Sequence, residues 1–310
     1  MNIHVEIGAK TDHRGEPSPP FEILRPAAET VPLVLASPHS GRVYPPAFVA
    51  ASRLDPLSLR RSEDSFVDEI FAAAPSLGAP LLRAHFPRAY VDANREPFEL
   101  DPRMFSEPLP DYVNTRSTRV IGGLGTLARV VANGAEIYDS KLPFAEALRR
   151  VTVFYRPYHA ALETLLTTTR DRFGGVILVD CHSMPSVGGP MDRDPGAARV
   201  DFVLGDGHGR CCGETVRAVA EDTLRGLGYR VARNAPYAGG YTTRHYGRPE
   251  NGIHVLQIEI NRALYMDEAR IARRPFLPLL SRQMATVIAA LTAIDPATLS
   301  GPRSRPRVRK

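Results

Sequence analysis

Two histidines raise the first chemical question. His39 lies in Ser37-Pro38-His39-Ser40-Gly41 and His182 in Asp180-Cys181-His182-Ser183; both follow an apolar run and both precede a serine. Two imidazoles and one carboxylate are a common ligand set for catalytic zinc, which keeps a fourth position for water. A single loop histidine is more often packed or hydrogen-bonded than metal-bound, so the shared placement carries the argument. The carboxylate would come from Arg60-Arg61-Ser62-Glu63-Asp64-Ser65-Phe66-Val67-Asp68. On a helical wheel of about 100° per residue, Glu63 sits at the centre of the stripe of Phe66, Val67, Ile70 and Ala74. Asp64 falls at the edge of that stripe beside Phe71, and Asp68 further round towards solvent. The plain alternative is a surface charge cluster in which Arg60 pairs with Asp64 one turn on.

Amide hydrolysis at such a metal also needs a carboxylate that takes a proton from water. Glu259 stands in Leu256-Gln257-Ile258-Glu259-Ile260, where alternation puts Gln257 and Glu259 on one face of a strand. A buried Glu is costly unless paired or functional, and a core salt bridge is its plain alternative. Asn94-Arg95 follows Val91-Asp92, and the planar donor fork of arginine suits a substrate carboxylate. Arg88 and Arg244 are further candidates. Cys181 and His182 are poor partners as nucleophile and base, because neighbours on a strand face opposite ways. Gly122-Gly123-Leu124-Gly125 lacks the context and the ending of a phosphate loop and reads as a flexible loop or lid.

The elements that must position these residues follow from periodicity and turn chemistry. Apolar runs predict strands over 31–36, 89–91, 175–179 and 255–260. Asp55-Pro56 predicts a capped helix start, with the helix continuing to about residue 74. A long helix is expected over 143–172, bent at Pro157, with Leu148, Val151, Phe154, Tyr155, Tyr158 and Leu162 inward. Further helices are expected over 212–227 and 275–291. His39, Asn94, His182 and Glu259 then all fall at or just past the C-terminal ends of strands. That edge is where open α/β sheets bind ligands. The alternation predicts a three-layer α/β fold, with a central mostly parallel or mixed sheet flanked by helices. An irregular lead-in is expected over 1–30, one folded domain over 31–298 and a basic disordered tail over 299–310.

The 310 residues are 43% hydrophobic and 24% charged, an ordinary globular balance for a chain able to bury a large core. The net charge of +5 owes much to the tail, which carries Arg303, Arg305, Arg307, Arg309 and Lys310 and no acid. Such a tail alone gives only weak, salt-sensitive affinity for nucleic acid, so no nucleic-acid partner is expected. Three cysteines, two of them adjacent, form no disulfide framework and favour a reducing compartment. No signal peptide and no apolar stretch of about 18 residues is visible, so a cytoplasmic protein with no membrane partner is expected.

Taken together, the motifs resemble the N-formylglutamate amidohydrolase family. The matching segments are Ser37-Pro38-His39-Ser40-Gly41, Glu63-Asp64, Val91-Asp92-Ala93-Asn94-Arg95, Asp180-Cys181-His182-Ser183, residues 238–260 and Tyr265-Met266. They extend over roughly residues 30–285, and their order is specific to the family. That family is similar to zinc carboxypeptidases and aspartoacylases. The resemblance implies a mixed sheet between helices, and zinc held by His39, Asp64 and His182. It favours Asp64 over Glu63, which stays in reserve. It also implies Glu259 as base and Asn94 and Arg95 as holders of a substrate carboxylate; Arg88 is expected to aid the oxyanion. Arg244 and His245 would assist from the Gly-rich segment. The expected reaction splits the amide of N-formyl-L-glutamate or a similar N-acyl amino acid. The alternatives are another N-acyl amino acid or peptide, or a non-catalytic binding protein on this scaffold. Another divalent transition metal would also suit the donors. In the deformylase branch the Asp is followed by Trp-His; here Ser65-Phe66 follows, and the 122–125 segment departs too. Both departures bear on the substrate more than on the chemistry.

Overall fold

The computed structural model describes residues 10–131, 134–190, 192 and 194–300. Its centre is a seven-stranded mixed sheet in the order β1-β3-β2-β4-β7-β5-β6. The strands are β1 (Phe21–Leu24), β2 (Leu33–Ser37), β3 (Leu81–Ala84), β4 (Val176–Met184), β5 (Phe202–Gly205), β6 (Val231–Arg233) and β7 (Ile253–Asn261). The middle four, β3, β2, β4 and β7, run parallel. β1 and β5 join them antiparallel.

Alternation along the central strands divides the core in two. Ile177, Val179 and Cys181 of β4, with Leu256, Ile258 and Ile260 of β7, pack on one face with the helices Glu214–Gly226 and Leu277–Thr292. Leu178 and Val255 face the other way, against Phe154, Tyr158 and Leu162. Helices therefore cover both faces, which is the three-layer α/β arrangement that strand–helix alternation implies.

Several elements differ from the sequence expectation, each for a tertiary reason. Residues 89–91 form a turn closed on the Pro87 carbonyl rather than a strand. Their apolar side chains are core residues, and β3 fills the strand position beside β2. β4 continues through Asp180-Cys181-His182-Ser183, read from composition as a turn, because its ladder with β7 extends to Met184. The helix expected from Asp55 starts as foreseen, with the Asp55 carboxylate capping Leu57 and Ser58, but ends at Leu59. A 3-10 turn follows, Glu63 is extended, and a second helix runs only over Val67–Ile70. Asp68, expected towards solvent, is buried and paired with Arg83 at 3.1 Å.

The helix over 144–173 is present but contains a π-helical turn at Val151–Tyr155 just before Pro157. The inserted turn shifts the inward stripe, so Ala147 is buried and Leu148 is exposed against expectation. The lead-in contains the edge strand β1, and Leu299, assigned to the tail, is buried with its carbonyl facing His254. The remainder of the tail, 301–310, lies outside the described residues.

A candidate metal and catalytic centre

Parallel pairing sets the stage. β2 ends at Ser37, just past its pairing of Ala36 with Asp180, β4 and β7 run on together to Met184 and Asn261, and His182 and Glu259 are direct register partners. His39 stands two residues beyond β2. Asp64 reaches the same place because the helix breaks before it. Its amide donates to the His39 carbonyl at 3.0 Å, a bond a continuous helix would have spent on its own turn. The carbonyls of residues 93, 94 and 95 are held by His159 Nε2, the Tyr241 amide and the Tyr155 hydroxyl.

Three buried atoms converge: His39 Nδ1, His182 Nδ1 and Asp64 Oδ2, with all candidate ligand atoms within 4.8 Å of one another. Oδ2 lies 3.4 Å from the first and 3.0 Å from the second. His39 Nδ1 has no hydrogen-bond partner although its residue is only 1% exposed. A buried, orphaned ring nitrogen facing a carboxylate and a second imidazole is what a metal ligand looks like without its ion. Each ring is anchored through its other nitrogen. His39 Nε2 meets Asp92 Oδ1 at 2.7 Å, and His182 Nε2 lies 2.9 Å from Asp180 Oδ1. Asp92 favours a proton on His39 Nε2, which leaves the His39 Nδ1 lone pair turned towards Asp64, while His182 presents its Nδ1 to the same Asp64 oxygen.

The second oxygen of Asp64 is already engaged. Arg262 donates to Oδ1 at 2.9 Å and the Ser183 hydroxyl at 3.3 Å, while Arg88 stands 3.8 Å away. Burial would raise the Asp64 carboxyl, but the facing imidazoles of His182 and His39 and the Arg88 charge outweigh it and hold it well below the usual range. Asp92 is likewise held low: burial raises it, and Arg95, His39 and Arg88 more than compensate. Glu259 behaves oppositely. Burial pushes its carboxyl up to about 7, against the pull of His182. One of its oxygens accepts from Gln257 at 2.9 Å. A carboxyl poised near neutrality beside a cluster of donors can both accept and return a proton.

The structure thus brings together His39, Asp64, His182, Glu259, Arg88 and Asn94. Arg88 bonds Asp92 at 2.9 Å and the Ser62 carbonyl at 3.4 Å. Asn94 is engaged at both ends: its Nδ2 lies 3.1 Å from His182 Nε2, and its Oδ1 accepts from the Thr242 amide at 2.8 Å. Arg95 gives Nε to the Leu124 carbonyl and one Nη to the Asn94 carbonyl. Its other Nη is 3.7 Å from Asp92, and burial brings the guanidinium down to about 10. Glu63 is not near the imidazoles in bonding terms: Arg60, Ser65 and Tyr44 occupy its oxygens. Arg60 pairs with Glu63, where the plain surface-cluster reading had Asp64. Arg244 is exposed and donates to the Gly239 carbonyl. His245 stacks on Tyr241 and lines a cavity of about 270 Å³ with Phe98, Tyr155, His159 and Tyr246, which none of the three converging residues borders. The 122–125 segment is packed at Gly125, where a Cβ would lie 2.1 Å from the Glu99 carbonyl oxygen, while Gly122 has room for one.

Sequence reasoning gave no role to Asp92, Asp180, Ser183, Gln257 or Arg262, although it set Gln257 on the face of Glu259. Period-two alternation was a usable signal for two of them, since Asp180 shares a strand face with His182 and Gln257 with Glu259. Arg262 gives no local signal, because its partner Asp64 is 198 positions away.

Comparison with known proteins identifies the family of the chain. A family model described as N-formylglutamate amidohydrolase matches residues 31–266. The N-formylglutamate deformylase of Pseudomonas aeruginosa is 31% identical over 250 residues, covering 80% of this chain and 86% of that protein. The N-formylglutamate deformylase of Pseudomonas putida is 27% identical over 245 residues, covering 77% and 83%. Among solved structures, an N-formylglutamate amidohydrolase from Ralstonia eutropha JMP134 is similar with a TM-score of 0.81 at 36% identity, covering 90% of this chain and 99% of that one. A gene product from Agrobacterium tumefaciens shares the fold, with a TM-score of 0.61 at 20% identity and coverage of 87% and 95%.

Proposed function

The chain belongs to the N-formylglutamate amidohydrolase family, and from that premise we propose that it hydrolyses the amide of N-formyl-L-glutamate or a closely similar N-acyl amino acid with the help of a divalent metal. The observation that carries the proposal is the orphaned His39 Nδ1 facing Asp64 and His182, with Glu259 on the neighbouring strand. His39, Asp64 and His182 would hold the ion. Zinc suits the donor set, as do other transition metals. Bound there, the ion supplies Lewis acidity, polarising the scissile carbonyl and making water more acidic.

The protein's own groups do the rest. Glu259 accepts a proton from the attacking water and returns it to the leaving amine nitrogen, a role favoured by its upward-shifted carboxyl. Arg88, fixed by Asp92, directs its guanidinium at negative charge developing on the carbonyl oxygen. Asn94 holds the His182 edge of the site, and Arg95 offers its remaining Nη edge to a substrate carboxylate. Arg244 would add charge from the exposed face of the helix Tyr241–Tyr246. The curated relatives named above are deformylases of N-formylglutamate, which supports an acidic N-formyl amino acid as substrate.

The test is a metal assay of purified protein together with kcat/KM for a panel of N-formyl and longer N-acyl amino acids, before and after chelation. N-formylglutamate should stand out, chelation should abolish turnover, and zinc should restore it. Preference for a neutral or long-chain acyl substrate would overturn the substrate reading, and activity untouched by chelation would overturn the metal reading.

A further inference from the structure

Asp64 has an unusual position for a ligand. It does not sit on a helix face, where its neighbours would orient it. It lies in the extended break between a 3-10 turn at Arg60–Ser62 and the helix Val67–Ile70. Something outside the local chain must decide which carboxylate oxygen points at the imidazoles. Arg262, immediately after β7, reaches back to do so. Its three nitrogens go to three different acceptors: Nη2 to Asp64 Oδ1 at 2.9 Å, Nε to the Ser183 hydroxyl at 3.1 Å, and Nη1 to the Arg61 carbonyl at 3.1 Å. The Ser183 hydroxyl in turn donates to the same Asp64 oxygen. Arg262, Asp64 and Ser183 are all buried.

We infer that Arg262 is the positioning residue of the candidate metal centre, clamping Asp64 Oδ1 so that Oδ2 alone is presented between His39 Nδ1 and His182 Nδ1. The inference rests on the metal reading above. It follows from geometry. With Oδ1 tied to a guanidinium and a hydroxyl, the carboxylate cannot rotate about its Cβ–Cγ bond without breaking two charge-assisted contacts. One oxygen is left for the ion. The guanidinium also ties three elements together: the Arg61 turn, β4 through Ser183, and the end of β7. The ligand therefore keeps its place without helical support. A lysine has a single ammonium at that position and cannot serve three acceptors in a fixed plane.

The experiment measures divalent-metal affinity directly, by competition of zinc with a chelator, without substrate. Arg262→Lys, checked for native circular dichroism, should bind zinc about 10–100-fold more weakly than wild type. Asp64→Asn and the double variant complete a cycle. Once Asp64 is neutral the clamp has nothing to orient, so Arg262→Lys should weaken affinity little further. Ser183→Ala, which leaves the charge pair, should fall between wild type and Arg262→Lys and keeps the inference testable should Arg262→Lys fold poorly. Native-like Arg262→Lys with wild-type zinc affinity, fully additive effects in the cycle, or Ser183→Ala no weaker than wild type would overturn the inference. Wild type that takes up no divalent ion would overturn the metal reading itself, a result distinguishable from the others because only the variants probe the clamp.

Discussion

At the scale of single residues, the site works by holding the outer atoms of its three converging side chains and turning the others inward. His39 is tied through Nε2 to Asp92, His182 Nε2 lies against Asn94 and Asp180, and Asp64 is tied through Oδ1, so His39 Nδ1, His182 Nδ1 and Asp64 Oδ2 face one point. Removing the Asp92 carboxylate should loosen that focus. Asp92→Asn is expected to lower zinc affinity about 10–100-fold, read by chelator competition. Glu259 makes no contact that the imidazoles require, so Glu259→Gln should retain the fold and the metal while kcat falls about 10²–10⁴-fold. Full activity in a metal-loaded Glu259→Gln protein would remove it as the base. His39 and His182 could be singled out from their positions after apolar runs. The choice between Glu63 and Asp64 could not be made on the wheel, because the wheel assumed a helix that the fold interrupts.

Elements place these residues through register and through close backbone approach. β4 and β7 pair through residues 182 and 259, so the imidazole and the carboxyl arrive side by side by strand geometry. The loop carrying Asp92 to Arg95 depends on the Gly-rich segment next to it. Asp92 and Glu99 both pair with Thr126, and Arg95 holds the Leu124 carbonyl. Gly125→Ala should destabilise the protein by about 1–3 kcal/mol in urea unfolding, since the added methyl meets backbone rather than a movable side chain. Gly122→Ala is the control. Its Cβ would come no closer than 3.5 Å to the nearest neighbour, the Thr118 carbonyl oxygen, and its effect should stay within about 0.5 kcal/mol. Equal effects of the two substitutions would contradict this account of the loop.

For the whole molecule, the expected ion couples stability to chemistry. A ligand that binds only the folded chain stabilises it by about 2.7 kcal/mol at a hundredfold excess over Kd, so Tm should rise with added zinc and fall with chelator. Protons act in the other direction at histidines outside the converging three. Burial lowers His159 from 6.5 to about 4, and lowers His254 in the same sense. As pH falls below 6.5 the unfolded chain takes these protons and the folded chain does not. Stability should therefore be full above about 6.5 and decline towards about 4. Urea midpoints at pH 7.5 and pH 5 would check this, with His159→Gln showing a smaller drop than wild type. No helix among the described residues is long and apolar enough to cross a membrane.

By itself the sequence determined the alternating α/β architecture, the two histidines, Glu259 and the order of motifs that marks the family. Those are properties of short segments: apolar runs make strands, and polar residues at strand ends fall on one edge of a parallel sheet. Tertiary structure decided what short segments cannot encode. It broke the helix at Glu63 because Asp64 bonds the His39 backbone, carried β4 through His182 because β7 offers a ladder, and moved the inward stripe off Leu148 by inserting a π turn. It also chose which carboxylate oxygen faces the imidazoles. Asp64 Oδ2 faces the imidazoles because Arg262, 198 positions along the chain, occupies Oδ1. Local periodicity fixes which way a side chain leaves its element; only the folded chain brings together the partners that decide which atom is left free.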